Sequence, residues 1–259
     1  MQLPVSRRLN ARSVTWICRM ETSIPQMMLF WVIGASLASG MRLSMIAVDR
    51  ITAPTGILNI LSYCLVVAAP VGGIFLALRA FPMGMLFAQP EMRFARIGRW
   101  REVDVVTARS LPLFGASGFM ASLIVGMLLN VPVRTLEFMT AIPTAPDNAP
   151  AWFLVLRQSM LGDLVIMSSL YCFAAIMAMR HVPLFPRFLA VVWGIDVLMQ
   201  ILIARTMGSV PDLPPAVAQS LRTLLEGNLK KALISIAIWL PYLLLSKRVN
   251  LTYRSRVPA

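Results

Sequence analysis

The sequence predicts an all-α fold: an integral membrane bundle of about six transmembrane helices with both termini cytoplasmic. Three observations predict it. Apolar residues make up 58% of the 259 positions and charged residues only 14%. The apolar residues fall into six separate runs, and the basic residues gather beside alternate ends of them. Soluble domains of this size sit near 45–50% apolar and about 25% charged, so a mean hydropathy of +0.74 exceeds what one soluble core can bury.

The first element is a basic segment, 1–24, carrying Arg7, Arg8, Arg12 and Arg19. Met20 and Met27 are candidate start codons beside Met1. The first span then runs over 27–48. It is longer than a signal-peptide core and has no small-residue cleavage site ahead of Asp49 and Arg50, so it reads as a retained helix. The second span covers 56–78, with Pro70, Gly72 and Gly73 inside it and a kink expected there. Residues 80–110 and the adjoining Arg79 supply six arginines around a stretch expected to lie along the headgroups as an amphipathic helix.

The third span is placed at 111–130, and 133–158 reads as loop around Pro143, Pro146 and Pro150. The fourth covers 159–179 and the fifth 188–204. Residues 214–231 place Val217, Leu221, Leu224, Leu225 and Leu229 at helical spacing, predicting a surface helix. It leads into the sixth span, 232–245, in which Pro241 frees the carbonyl of Ala237. A short tail, 254–259, closes the chain. About 20 residues cross a 30 Å core, so the last two spans are short.

Orientation follows from charge. With the N-terminus inside, sixteen of the 24 basic residues fall on inside segments, as the positive-inside rule requires. The net charge of +13 therefore points to the lipid bilayer and to anionic lipids at the basic cytoplasmic segments. No soluble domain remains to present a nucleic-acid-binding patch. A membrane-protein partner is open.

Cys18, Cys64 and Cys172 are too few and too dispersed for a disulfide framework or a zinc site. The single histidine, His181, reads as a solvated loop residue. No nucleophile elbow, P-loop, zinc-protease or dinucleotide motif is present, so no catalytic, cofactor or metal residue is assigned.

The best functional leads are charges inside spans, each costing roughly several kcal/mol unless paired or wet. These are Arg42, Asp163 and Asp196. Asp196 lies deepest; Asp163 fits a pairing with Arg42 or Lys231 in the outer half. Paired-aspartate chemistry needs Asp163 and Asp196 at one depth, and the predicted spans place them at different depths. The plain reading is a polar clamp between helices; the alternative is an ion or proton relay through Asp196. Small residues (Gly34, Ser36, Ala38 and Gly40; Gly118, Ser122 and Gly126) form faces suited to close helix approach.

The C-terminal run Ile238-Trp239-Leu240-Pro241-Tyr242-Leu243-Leu244-Leu245-Ser246-Lys247-Arg248-Val249, followed by Thr252, resembles the ending of a bacterial membrane family, domain of unknown function 2569. Leu136-Glu137 and Pro183-Leu184-Phe185-Pro186-Arg187-Phe188 ahead of Asp196 are similar too. The likeness covers roughly 95–253, and the family usually has phenylalanine where this chain has Tyr253. It implies a multi-pass protein of the bacterial inner membrane and carries no assigned activity.

Overall fold

The computed structural model describes residues 15–17, 19–49, 56–82, 89–90, 97–145 and 149–259, with the backbone alone at 45–49. The basic arm 1–14 and Cys18 lie outside the described residues. Six helices are long and apolar enough to cross a membrane: α1 (Ile24–Asp49), α2 (Ile57–Ala80), α4 (Phe119–Ala141), α5 (Ala151–Met179), α6 (Phe185–Gly208) and α7 (Pro215–Leu245). Between and beyond them lie β1 (Trp100–Glu102), α3 (Val105–Ser110), α8 (Lys247–Arg254) and β2 (Arg256–Pro258).

The helices differ from the predicted spans in informative ways. Residues 111–118 are not helical, and α4 instead runs on to Ala141, because Val131, Thr135, Phe138 and Met139 continue a buried face beyond Asn130. α5 starts at Ala151, so the predicted 133–158 loop contracts to its proline-rich middle. The expected surface helix at 215–231 and the sixth span are one continuous helix. In the basic connection, the described part holds β1 and the six-residue α3 rather than a long amphipathic helix; 83–88 and 91–96 lie outside the described residues.

α5 is the central helix, buried along most of its length, with α2, α4 and α6 packed on it. Its contact with α2 is close because Gly73 has no side chain: a Cβ there would lie 2.4 Å from the carbonyl oxygen of Ser169. The Ser169 hydroxyl in turn donates to the carbonyl of Ala69 at 2.9 Å. The predicted small-residue faces do not act this way within the chain. A Cβ at Gly34, Gly40 or Gly126 meets nothing within 4 Å, and Gly118 is the N-cap of α4, at φ 66°.

The connections alternate between two ends. At one, the Asn59 side chain and the Ala145 backbone exchange hydrogen bonds of 2.9 and 3.2 Å. At the other, the basic one, α8 tucks beneath the bundle with Val249, Leu251 and Tyr253 buried. β2 pairs antiparallel with β1, Arg101 opposite Val257, so the predicted tail is zipped onto the long connection. Arg180 donates to the carbonyls of Leu78, at 3.0 Å, and Phe81, satisfying acceptors that the end of α2 leaves open.

Candidate functional site

The polar centre of the bundle is built from the facing sides of α4, α5 and α6. On α6, Leu189, Val192, Trp193, Asp196, Gln200 and Ile203 form a buried stripe at helical spacing, which turns Asp196 and Gln200 toward α5. On α5, Asp163 and Tyr171 are two turns apart on one buried face. α4 brings Arg134 alongside its own buried stripe.

Arg134 takes both carboxylates. One terminal nitrogen donates to Asp163 Oδ2 at 2.8 Å and the other to Asp196 Oδ1 at 2.5 Å. The Tyr171 hydroxyl donates to Asp196 Oδ2 at 2.7 Å, and Gln200 Nε2 donates to Asp163 Oδ1 at 3.2 Å. Each carboxylate oxygen therefore has a donor. The side chains are 12%, 7% and 3% exposed for Arg134, Asp163 and Asp196. One guanidinium faces two carboxylates, so the fully ionised group carries one excess negative charge, which a low-dielectric surrounding disfavours.

Of the three predicted intramembrane residues, the structure joins two and leaves one apart. Twelve positions separate Asp163 from Ala151 at the start of α5, and twelve separate Asp196 from Gly208 at the end of α6. At 1.5 Å per residue both lie about 18 Å from the same end of the bundle, which overturns the expected difference in depth. Arg42 is half-buried on α1 and makes no ion pair among the described residues; it is not the partner of Asp163. Lys231 is not either, since it pairs with Glu137 at 2.5 Å.

A cleft of about 300 Å³ opens between α4 and α7 and reaches this network; Arg134, Tyr171, Trp193 and Asp196 form its floor, and Asn228, Ser235 and Trp239 line its α7 side. The Glu137–Lys231 pair spans it toward one end. Toward the other, Phe119 stacks on Trp239 with ring centroids 4.6 Å apart and meets Tyr242 edge-on at 4.9 Å. Trp239 and Tyr242 of the C-terminal motif thus hold α7 to α4. Pro241 lies inside α7.

The rest of that motif is a latch. Ser246 caps α8, its hydroxyl accepting from the amide of Val249. Arg248 donates to Ser117 and to the carbonyl of Gly115, Lys247 begins α8, and the amide of Gly115 donates to the Thr252 hydroxyl at 3.0 Å. The Tyr253 hydroxyl, fully buried, donates to the carbonyl of Ala178 at 2.8 Å.

His181 belongs to this latch and is not a solvated loop residue. It occupies the left-handed position after α5, at φ 55°. There Val182 N–H bonds the Met177 carbonyl and His181 N–H that of Ala178, the paired closure that usually takes glycine. Its Nε2 accepts from the amide of Ala116 at 3.3 Å, and Phe114 covers the ring at 5.3 Å. Burial, and then the nearby Arg109, depress its pKa to about 4.

No family model, no curated protein and no solved structure matches this chain.

Proposed function

We propose that the chain is a non-enzymatic multi-pass protein of the bacterial inner membrane, an accessory or envelope component whose basic end faces the cytoplasm. The observation that carries this reading is the engagement of Arg134 with both Asp163 and Asp196, which ties α4, α5 and α6 through a shared polar layer. Groups wholly engaged with one another act as a clamp. The guanidinium also lies between the two carboxylates, where a catalytic aspartate pair would hold a water. The basic end, with its cluster of arginines, suits anionic lipid headgroups; the resemblance to the family of unknown function rests on the C-terminal motif together with Leu136-Glu137 and the Pro183–Phe188 run.

A second reading has its own observation. The cleft reaches Asp196, and the excess negative charge there suits a proton or a small cation, as in a coupled transporter. One experiment separates the two: a single cysteine at Ser235 or Asn228, in a background lacking Cys18, Cys64 and Cys172, labelled with a membrane-impermeant thiol reagent in intact cells and in inside-out vesicles. Labelling from either face gives an aqueous path to the clamp and favours transport. Protection from both faces in folded protein favours the clamp.

A further inference from the structure

We infer that the chain binds a phosphate-class anion between α1, α2 and α5, held by Arg157 and Arg42 with Ser39 and Tyr63 beside them. The inference starts from a cation without an acceptor. Arg157 is 2% exposed, and its Nη2 is buried without a hydrogen-bond partner. Among the described residues no carboxylate pairs with it. A guanidinium held in that state inside a membrane span is strongly disfavoured, which is why intramembrane charges are otherwise paired. The other arginines of the bundle interior follow that rule. Arg134 has two carboxylates, and Arg180 has two backbone carbonyls.

A second buried polar group, on α1, shares the deficit. Ser39, 5% exposed, also has a hydroxyl oxygen without a partner. Arg42 lies three positions on, hence on the same face of α1, and is half-buried, giving the site an open edge. Arg157 and Arg42 both lie within electrostatic reach of the buried Tyr63 of α2. Ala38 and Leu43 of α1 pack on the same apolar cluster as Tyr63, Leu156 and Met160, so the three helices meet here.

Depth agrees with the chemistry. Tyr63 and Arg157 each lie six positions inside the ends of α2 and α5, and Arg42 seven inside the end of α1. That is roughly 9–11 Å from the helix ends, at the end of the bundle away from α8. Helices of 24 to 29 residues exceed the hydrocarbon thickness by only a few Å at each end, so this level lies just inside the core, within reach of the headgroups for long side chains. Two guanidinium forks with hydroxyl donors match the several oxygens of a phosphate. The source is either the phosphodiester of an anionic lipid or free phosphate.

The test uses the full chain in detergent, with its melting temperature followed as probes are added. The probes are dioctanoyl-phosphatidylglycerol, dioctanoylglycerol, which lacks the phosphate, and inorganic phosphate against chloride at equal ionic strength. At a hundredfold excess over Kd we expect phosphatidylglycerol to raise the melting temperature by about 5 °C or more. A rise with phosphatidylglycerol alone assigns the site to lipid, and a rise with phosphate as well assigns it to the anion itself. No rise with either, or an equal rise with dioctanoylglycerol, overturns the inference. Arg42→Gln, at the open edge, is expected to weaken the response at least tenfold. Arg157→Gln is expected to abolish it while leaving the anion-free protein no less stable than the parent, because the unpaired charge is gone. An unchanged response in both variants also overturns it.

Discussion

Arg134 on α4 and Asp196 on α6 meet at 2.5 Å in the middle of the membrane-spanning region, and the same guanidinium reaches Asp163 at 2.8 Å. The consequence is asymmetric. Removing the cation leaves two buried carboxylates facing each other, whereas removing one carboxylate leaves a neutral pair. Arg134→Gln is therefore expected to destabilise the protein by about 3–5 kcal/mol, and Arg134→Lys to recover only part of that, since one ammonium cannot serve both partners in the fork geometry. Unfolding in a mixed-micelle denaturant series checks it; a loss under about 1 kcal/mol for the glutamine variant would remove the clamp as a structural element.

The two aspartates are expected to be non-additive. Asp163→Asn or Asp196→Asn alone keeps Arg134 with one carboxylate and loses about 1–2 kcal/mol, the scale of a charge-assisted hydrogen bond. The double variant strands Arg134 as a lone buried cation. Its loss is expected to exceed the sum of the singles by more than about 0.5 kcal/mol, the usual margin for independent sites. Simple additivity in a double-mutant cycle would mean that the two carboxylates do not share the guanidinium.

Much of the bundle was legible in the sequence because hydropathy and arginine placement follow directly from the bilayer. The clamp was half legible. Asp163 and Asp196 stand out as acids in apolar runs, but a third span ending at Asn130 leaves Arg134 in the 133–158 loop. Pro132 and Arg134 interrupt hydropathy there. The better signal was periodicity: Val131, Thr135, Phe138 and Met139 carry the same buried face onward, which puts Arg134 inside the helix. Two buried acids also call for a base. The role of His181 was not legible, since its partner Ala116 is 65 positions away and the bond is made by a backbone amide.

His181 gives the basic-end latch a pH dependence. Its pKa falls from the usual 6.5 to about 4 in the folded chain, so the folded state binds fewer protons than the unfolded state between these values. The stabilisation is complete above pH 6.5 and is lost as pH falls from 6.5 towards 4. We expect the melting temperature of the parent to drop more steeply from pH 7 to 4.5 than that of His181→Asn, which accepts the left-handed backbone and does not titrate there. Parallel pH profiles for the two proteins would count against the bond to Ala116.

Gly73→Ala tests the contact of α2 with α5. A methyl group 2.4 Å from a backbone oxygen and 2.9 Å from a Cα has no flexible neighbour to displace, so the helices must separate. The expected loss is about 1–3 kcal/mol, and Gly72→Ala, where a Cβ meets nothing within 4 Å, is the matched control with no loss. Equal stability of the two variants would contradict the close approach.

Tyr253 carries the most exact test of the latch. Its ring packs on Phe185 at 5.1 Å while its hydroxyl reaches the Ala178 carbonyl. The carbonyl of Ala178 also accepts from His181 N–H, so it keeps a donor when the phenol is removed. Tyr253→Phe preserves the ring and deletes one hydrogen bond, and the expected loss is about 0.5–1.5 kcal/mol. Tyr253→Ala deletes the packing as well and should lose about 3–5 kcal/mol. The latch also predicts where the loss is felt: in Tyr253→Ala, amide exchange is expected to rise in α8 and at 113–118 before it rises in α5. Uniform exchange across the whole chain would show instead that α8 unfolds only with the bundle, making the C-terminal motif part of the cooperative core.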